Sequence, residues 1–430
     1  MSQNANDIAW SEIFEMHNVL EKVGSNGYCD LTSQELGVVR EARLMGKIDH
    51  RENLPNVMRD NNLSILTTSN RTYRIGAFQV FQELPTQNPW PKKATQMNLP
   101  FGLQTLNAEN LSGEAATVNA AHASGMIGDF CGEPVTLTVA GRMRTPAFEF
   151  SVDTNAGAPQ SLRVQGAQIE IDAGFEGTEA FCIFEVKNHA PKNFNLRQLY
   201  YPLRTWEPRI SKPIKPIFLT FSNDVFDFYE YAFENLEDYS SAELVRHESY
   251  MLTHDHIDET DLSKMASSGL GSLSNPDVPF IQADKVERVI DLVSILLEGP
   301  KDIEDLALHY GFDTRQSDYY FNAARFLGLA ETARGKDGRI VRQATKLSRD
   351  IFSQGYREKY LSLASLVLGI DSVARTYLVW KQSSNKPSRD NVIAILRDSS
   401  DSVGISGQTI GRRSQTVLAW AEWAIFLPSQ

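Results

Sequence analysis

Cysteine is scarce in this chain of 430 residues, which contains three: Cys29, Cys131 and Cys182. They lie far apart and form no Cys-x-x-Cys pair, so the sequence has neither a disulfide framework nor a zinc-ribbon pattern. The histidine pair His254 and His256 lies in an acidic loop, and we expect no zinc there. Since structural disulfides belong to oxidising compartments, we expect a protein of the reducing cytoplasm.

Long apolar runs are also missing. No stretch approaches the roughly 20 apolar residues that a membrane-spanning helix needs. The first ten residues, MSQNANDIAW, are polar and do not resemble a signal peptide. We therefore expect no membrane partner and no secretory leader.

Positive charge is in short supply, with 42 Lys and Arg against 54 Asp and Glu and a net charge of -12. Lys and Arg contacts to phosphate dominate nucleic-acid binding, so this balance argues against a protein that simply coats nucleic acid. Residues 334–349 nevertheless contain six basic residues and one acidic residue. An acidic chain of this kind can still present a local basic surface to DNA.

The length predicts two or three domains, and the 42% hydrophobic content is sufficient for real cores. Residues 258–280 are rich in Ser, Gly, Asp and Pro, which is typical of a linker. We predict five consecutive segments: an N-terminal helical and strand region packed on the core (1–100), a core (101–257), the linker (258–280), a first C-terminal module (281–350) and a helical C-terminal unit (351–430).

The most informative stretch is residues 163–187, which predicts two strands joined by a Gly-containing connection. Alternate residues of a strand lie on one face, so Glu185 and Lys187 project together and Val186 projects to the other side. If the strands pair, Asp172 reaches the same point. Two carboxylates suit Mg²⁺, and an ammonium beside them can orient a water or neutralise developing charge. The alternative is a hairpin with a structural ion pair at its mouth.

This pattern resembles the core of the PD-(D/E)xK nucleases, with Asp172, Glu185 and Lys187 at the positions of the metal ligands and the catalytic lysine. The proline that precedes the aspartate in that family is replaced by Ile171. A predicted helix (193–207) and two predicted strands (about 212–233) continue the order of the family core. The resemblance implies an α+β fold, with a mixed central sheet flanked by helices and a mostly helical winged-helix C-terminal region.

Two further metal ligands are implied by the resemblance. One is the backbone carbonyl of Val186. The other is Glu114, at the start of a predicted helix (112–124), because many nucleases of this core add a carboxylate from a preceding helix. The alternative for Glu114 is an ordinary acidic residue that interacts favourably with the helix dipole.

Beyond the linker, three predicted helices and a basic hairpin form the pattern of a winged helix-turn-helix. The start of the third helix then meets base edges and the wing contacts phosphate. Its DNA-binding candidates are Arg315, Gln316, Tyr319, Arg334, Lys336 and Arg339. A protein-packing or dimerisation module is the alternative. The first half of the last helix (Gln408, Thr409, Arg412, Arg413) resembles another recognition helix, so 351–430 is a candidate second winged helix.

Basic and polar residues nearer the N-terminus are further DNA-binding candidates, since arginine suits phosphate and guanine contacts. They are Arg43, Lys47, Arg71, Arg74, Arg142, Arg197 and Gln198. A charge-rich solvated surface is the alternative for these residues.

As a whole the chain resembles a type II restriction endonuclease, on the segments 40–55, 65–76, 141–150, 172–187, 195–206 and 311–329. The resemblance implies Mg²⁺-dependent hydrolysis of both strands of a short DNA site, leaving 5′-phosphate and 3′-hydroxyl ends. It also implies a homodimer and a functional pairing with a DNA methyltransferase. Two alternatives remain: a methylation-dependent or repair nuclease of the same core, and a non-enzymatic winged-helix DNA-binding regulator.

Overall fold

The computed structural model describes residues 5–429 with the exception of 86–93, 107, 109–110, 112, 253–255, 274, 276, 311–313, 336–337 and 403–406. The chain divides into two compact units, and neither is one continuous stretch. The first unit contains Met1–Thr86, Ala121–Phe221 and Phe226–Glu248. The second contains Gln87–Ala120, Ser222–Val225 and Ser249–Gln430. The five consecutive segments expected from the sequence therefore do not correspond one by one to compact units.

The first unit begins with short helices around a three-stranded antiparallel sheet of order β1-β3-β2. Trp10, Ile13 and Phe14 are buried and form its core with apolar residues of the strands. Thr32 and Glu35 form a reciprocal capping box at the start of the third helix. The elements are α1 (Ala5–Met16), α2 (Val19–Asn26), β1 (Tyr28–Thr32), α3 (Ser33–Gly37), α4 (Ala42–Gly46), α5 (Asn56–Asp60), β2 (Ser64–Ser69) and β3 (Thr72–Gly76).

The central elements are β4 (Phe81–Glu83), β5 (Thr95–Met97), α6 (Glu114–Ala123), α7 (Met126–Cys131), β6 (Thr136–Arg144), β7 (Phe148–Val152), β8 (Gln160–Val164), β9 (Gln168–Glu176), β10 (Phe181–Lys187), β11 (Asn193–Asn195), α8 (Arg197–Trp206), β12 (Ile214–Ser222), β13 (Val225–Phe233) and β14 (Ala242–Leu252). Seven of these strands form one sheet in the order β5-β14-β13-β12-β10-β9-β6. The pairs β6–β9 and β9–β10 are antiparallel, whereas β10–β12 is parallel. The sheet is therefore mixed, as expected for the α+β class.

Helix α8 follows from the parallel pairing, because two parallel strands need a crossover connection, usually a helix. It connects β10 to β12 and buries Leu199, Tyr200 and Tyr201. The Trp206 ring packs edge-on against Phe181 of β10, with ring centroids 5.4 Å apart. This packing fixes the last turn of α8 beside the start of β10.

The second unit is mostly helical beyond residue 256. Its elements there are α9 (Glu259–Ser268), α10 (Val286–Glu298), α11 (Ile303–Tyr310), α12 (Thr314–Phe326), β15 (Ala330–Arg334), β16 (Ile340–Ala344), α13 (Lys346–Phe352), α14 (Tyr356–Leu368), α15 (Asp371–Ser383), α16 (Arg389–Asp398) and α17 (Gly407–Phe426). The order α10, α11, α12 and an antiparallel β15–β16 pair reproduces the three helices and hairpin expected from the sequence. Their apolar faces share one core with the later helices, including the buried Trp420 and Trp423.

Part of the segment 258–280, predicted as a linker, forms helix α9. Leu262 and Ala266 lie one turn apart and are fully buried in the core of the second unit. The Ser, Gly and Asp content of the segment concealed this apolar spacing. In the described part of 258–280, Asp258 and the residues after Ser268 lack regular secondary structure.

No single helix in the described part of the chain is both long and apolar enough to cross a membrane. Helices α14 and α15 meet the length and composition criteria only together, with a bend of 105° between them.

Candidate active site

The predicted catalytic residues converge at the end of the β9–β10 hairpin. Phe184 pairs with Ala173 in the antiparallel register, and continuing that register by one residue sets Glu185 opposite Asp172. Directly opposed residues of antiparallel strands share a face, so the two carboxylates lie together. Strand β10 lies inside the sheet between β9 and β12, and its residues from Phe181 to Val186 are buried on both faces. Burial on both faces explains the apolar run that precedes Glu185.

Asp172 is tied to the neighbouring strand by its side chain. Its Oδ2 accepts a hydrogen bond of 2.7 Å from the backbone N–H of Val186. Asp172 is partly exposed, and the side chains of Glu185 and Lys187 are about one-tenth exposed. The hydrogen bond therefore holds one oxygen of Asp172 toward the backbone between Glu185 and Lys187.

Glu185 and Lys187 form a nearly buried ion pair on the same face of β10. The Lys187 Nζ lies 2.5 Å from Glu185 Oε1 and also donates to the Val186 carbonyl at 3.1 Å. Removing two charges from water costs several kcal/mol per ion, which the attraction between them offsets only with good geometry and further hydrogen bonds. A buried pair is therefore weak evidence for stability and is consistent with a functional site.

Gln198 is the residue whose position the sequence did not reveal. It was predicted to bind DNA, but in the first turn of α8 its Nε2 donates a short hydrogen bond to Glu185 Oε1. The Gln198 Oε1 is buried and accepts no hydrogen bond from the described part of the chain. The available signal was its place in the first helix after the Glu-x-Lys strand.

Replacing Gln198 with alanine separates a positioning role from a DNA contact. Hydrogen bonds to charged groups contribute about 1.5–3 kcal/mol. If Glu185 acts in DNA cleavage as the sequence predicts, loss of this support is expected to lower the cleavage rate constant by about tenfold or more, with DNA affinity retained. Single-turnover cleavage and binding would be measured for Gln198→Ala beside Gln168→Ala, an exposed glutamine on β9. Weaker binding with an unchanged rate would assign Gln198 to DNA instead.

The donor set at this point fits Mg²⁺. Asp172, Glu185 and the Val186 carbonyl are hard oxygen donors, and Mg²⁺ is usually held by one or two carboxylates while it keeps several waters. Among the described residues no group of three or more His, Cys, Asp or Glu side chains is placed to hold a metal ion. A dedicated all-protein cage is therefore absent from the described part, and Asp172 and Glu185 are the two candidate carboxylate ligands.

The structure describes Glu114 but only part of the histidine pair His254 and His256. Glu114 is the first residue of α6 and belongs to the second compact unit. Its role as a ligand beside Asp172 remains a prediction. His254 lies outside the described residues.

A buried histidine, His50, lies close enough to Lys187 to respond to its charge. Its Nδ1 is 2.8 Å from the Asn193 carbonyl, and its ring meets His189 edge-on with centroids 5.5 Å apart. Burial lowers the pKa of His50 below 6.5, and the Lys187 charge lowers this pKa further. His50 is therefore neutral in the folded protein at neutral pH.

The lowered pKa predicts a pH-dependent stability. Below pH 6.5 His50 is protonated in the unfolded chain but stays neutral in the folded chain until the pH reaches its lowered folded-state pKa. Within this range the unfolding free energy falls as pH falls, by up to about 1.4 kcal/mol per pH unit. His50→Gln is expected to lose this part of the dependence. Denaturant unfolding at about pH 7 and about pH 5 would test it, with His122→Gln, an exposed histidine, as the control. Equal pH dependence in wild type and His50→Gln would refute the assignment.

Two cysteines are buried side by side, Cys182 in β10 and Cys131 at the end of α7. The Sγ atoms of Cys131 and Cys182 are 2.9 Å apart, and both residues are buried. The hydrogen bond from Cys131 and burial together raise the pKa of Cys182 strongly. Cys182 is thus a neutral thiol of the core and unsuited to nucleophilic chemistry.

Several predicted DNA-binding residues are already engaged in ion pairs. Arg74 makes two hydrogen bonds to the Asp30 carboxylate, at 2.7 and 2.6 Å, and its guanidinium lies 3.7 Å from the centre of the Tyr28 ring. Arg142 lies 3.3 Å from Glu170. Lys47 forms a longer contact of 3.9 Å with Asp49. These contacts show how Arg74 in particular is held on the first small sheet.

The remaining candidates have varied surroundings. Arg71 is exposed at the β2–β3 turn, and Arg334 and Arg339 are exposed on the β15–β16 hairpin. Arg197 lies 5.9 Å from the centre of the Tyr201 ring. Gln316 and Tyr319 are partly buried in the first turns of α12. The side chains of Arg43 and Arg315 and the whole of Lys336 lie outside the described part.

Comparison with known proteins gives three matches, each to a family model described as a domain of unknown function. They are DUF6996 over residues 7–75, DUF6997 over 76–251 and DUF7226 over 288–429. Asp172, Glu185, Lys187 and Gln198 all lie within the second. No curated protein matches the chain. No solved structure matches it.

Proposed function

We propose that this chain is a Mg²⁺-dependent DNA endonuclease of the type II restriction class. The main support is one constellation: Asp172, Glu185 and Lys187 share a face at the end of two paired strands, with two carboxylates beside one ammonium. Such an arrangement in a nearly buried position is costly, and a reaction that needs a divalent ion is a sufficient reason for it.

The connection of the elements supports the same proposal. Strand β9, strand β10, helix α8, strand β12 and strand β13 follow one another in the chain, and β12 lies parallel to β10. This is the order expected for a PD-(D/E)xK core. In such a core the aspartate lies on one strand and the Glu-x-Lys motif on the next, as Asp172 and Glu185 to Lys187 do here.

The residues divide the chemistry among themselves. Asp172, Glu185 and the Val186 carbonyl would hold Mg²⁺. When bound, Mg²⁺ lowers the pKa of a water and stabilises negative charge on the phosphoryl group. Lys187 orients that water or neutralises the developing charge, and Gln198 keeps the Glu185 carboxylate in position.

For substrate binding we propose that α10, α11, α12 and the β15–β16 hairpin act as a winged helix on double-stranded DNA. Gln316 and Tyr319 then lie at the end of α12 that meets base edges, and Arg334 and Arg339 contact phosphate. A homodimer would match a palindromic site by symmetry. A cytoplasmic location and a partner methyltransferase complete the proposal.

The test is cleavage of plasmid DNA by the purified full chain in Mg²⁺ and in a chelator. The proposal predicts discrete linear fragments with ligatable 5′-phosphate and 3′-hydroxyl ends in Mg²⁺ only. Cleavage that persists in the chelator would contradict the metal site. Binding of DNA without cleavage in any divalent ion would favour the non-enzymatic regulator.

A further inference from the structure

Three arginines, Arg389, Arg412 and Arg413, gather where α16 begins beside the first turns of α17. Arg389 is the first residue of α16, after the Ser388 N-cap. Its Nη2 donates a hydrogen bond of 3.0 Å to the Gly411 carbonyl, directly before Arg412. We call these three residues the arginine cluster. This contact brings the Arg389 guanidinium to the residue directly before Arg412 and Arg413 in α17.

The arginine cluster forms no ion pair in the described part of the chain, although the acidic Asp390 directly follows Arg389. None of its members is within 4.0 Å of a carboxylate there, in contrast to Arg375, which pairs with Asp371 at 2.7 Å. Residues 407–421 of α17 contain no Asp or Glu. The next acidic residue, Glu422, is paired with Lys386 at 2.5 Å. A local excess of positive charge therefore stands out in a chain of net charge -12.

The surroundings of Arg413 place the arginine cluster next to α12. Burial lowers the pKa of Arg413, the nearby Tyr319 raises it, and the like charge of Arg412 lowers it. Tyr319 belongs to the first half of α12, the part proposed to face DNA. Arg412 is exposed, whereas Arg413 is partly buried. An anion bound at this point would relieve the repulsion between the two adjacent arginines.

We propose that the arginine cluster binds backbone phosphate of double-stranded DNA beside the groove that α12 enters. This inference rests on the proposed function. Sequence alone suggested that α17 is a second recognition helix, whereas its contact with Arg389 and its closeness to Tyr319 assign it to the same surface as α12. Arginine suits this role because its planar fork binds phosphate oxygens in pairs. The cluster then contributes affinity at any sequence and contributes no base readout.

The experiment is the salt dependence of binding to a short mixed-sequence duplex, measured by fluorescence anisotropy in a chelator so that no cleavage occurs. Each phosphate contact contributes about 0.9 to the slope of log K against log salt. The double variant Arg389→Gln, Arg412→Gln is therefore expected to reduce that slope by about 2. The matched control Lys22→Gln, Lys264→Gln removes two exposed charges and is expected to leave the slope unchanged. Arg389→Lys, Arg412→Lys is expected to retain it.

The outcomes separate this inference from the proposed function. If wild type binds the duplex with a steep slope and the glutamine variant, with a wild-type thermal unfolding midpoint, has the same slope, the arginine cluster does not contact DNA and the inference fails alone. An equal loss in the control variant would show a general charge effect and would also overturn the inference. If wild type does not bind the duplex at all, the proposed function fails with it.

Discussion

Asp172→Asn is expected to lower Mg²⁺-supported DNA cleavage by about 10³-fold or more. A metal ion contributes several kcal/mol of transition-state stabilisation, and each 1.36 kcal/mol corresponds to about tenfold in rate. Asparagine keeps an oxygen that can accept the 2.7 Å hydrogen bond from the Val186 N–H. The variant therefore removes the charge that we propose holds Mg²⁺ and keeps the hydrogen bond between the two strands.

The measurement is single-turnover cleavage together with DNA affinity in a chelator. Asp60→Asn, an exposed residue at the end of α5, is the matched control and is expected to cleave like wild type. Affinity of Asp172→Asn for DNA is expected to stay within about threefold of wild type, since phosphate contacts from other residues dominate binding. Cleavage within a few-fold of wild type would remove Asp172 from the metal site.

Lys187→Met is expected to affect both activity and stability. It deletes the ammonium that we propose neutralises developing charge, and loss of one such donor typically lowers the rate by about 10²–10³-fold. It also leaves Glu185 as a nearly buried carboxylate without its partner, which costs about 3–5 kcal/mol of unfolding free energy in a buried pair. A second substitution at Glu185 is expected to restore the stability but not the activity, so the two effects can be separated.

The double variant Lys187→Met, Glu185→Gln also removes the carboxylate charge that Lys187→Met leaves without its ammonium partner. We expect it to recover much of the unfolding free energy and none of the cleavage. Lys212→Met is the matched control, because Lys212 pairs with Glu176 on a half-exposed surface, where a pair contributes at most about 1 kcal/mol. Recovery of cleavage in the double variant would show that the Glu185–Lys187 pair is only structural.

The hairpin was predictable because its signals are local. Strand β10 is buried on both faces, so its residues form a short apolar run, and the period of two then places Glu185 and Lys187 on one face. The bounds of the first strand were not predictable: Asp172 was expected at the end of a strand over 163–172, whereas it lies in the middle of β9 (Gln168–Glu176), where the antiparallel register sets it opposite Glu185. The mixed sheet followed from the helix that separates β10 and β12.

The contacts around the hairpin were not predictable, since they join residues far apart in the chain. Gln198 was read as a surface residue of α8, yet the packing of that helix turns it toward Glu185. Arg74 has a partner 44 residues away in Asp30, and a basic residue alone does not indicate whether such a partner exists. The same limit explains why α9 was predicted as part of a linker. The segment is mostly polar in composition, but its helix is stabilised by the burial of Leu262 and Ala266.

The most direct test of the central claim is cleavage of methylated and unmethylated genomic DNA by wild type beside Asp172→Ala, in Mg²⁺ at the millimolar level. We expect discrete fragments from wild type and intact DNA from Asp172→Ala, with preference for the unmethylated DNA expected of a restriction enzyme. Fragments only from methylated DNA would support the nuclease activity but assign the protein to the methylation-dependent nucleases instead of the restriction enzymes. Intact DNA in every lane, from folded protein, would contradict the claim that Asp172, Glu185 and Lys187 form a nuclease site.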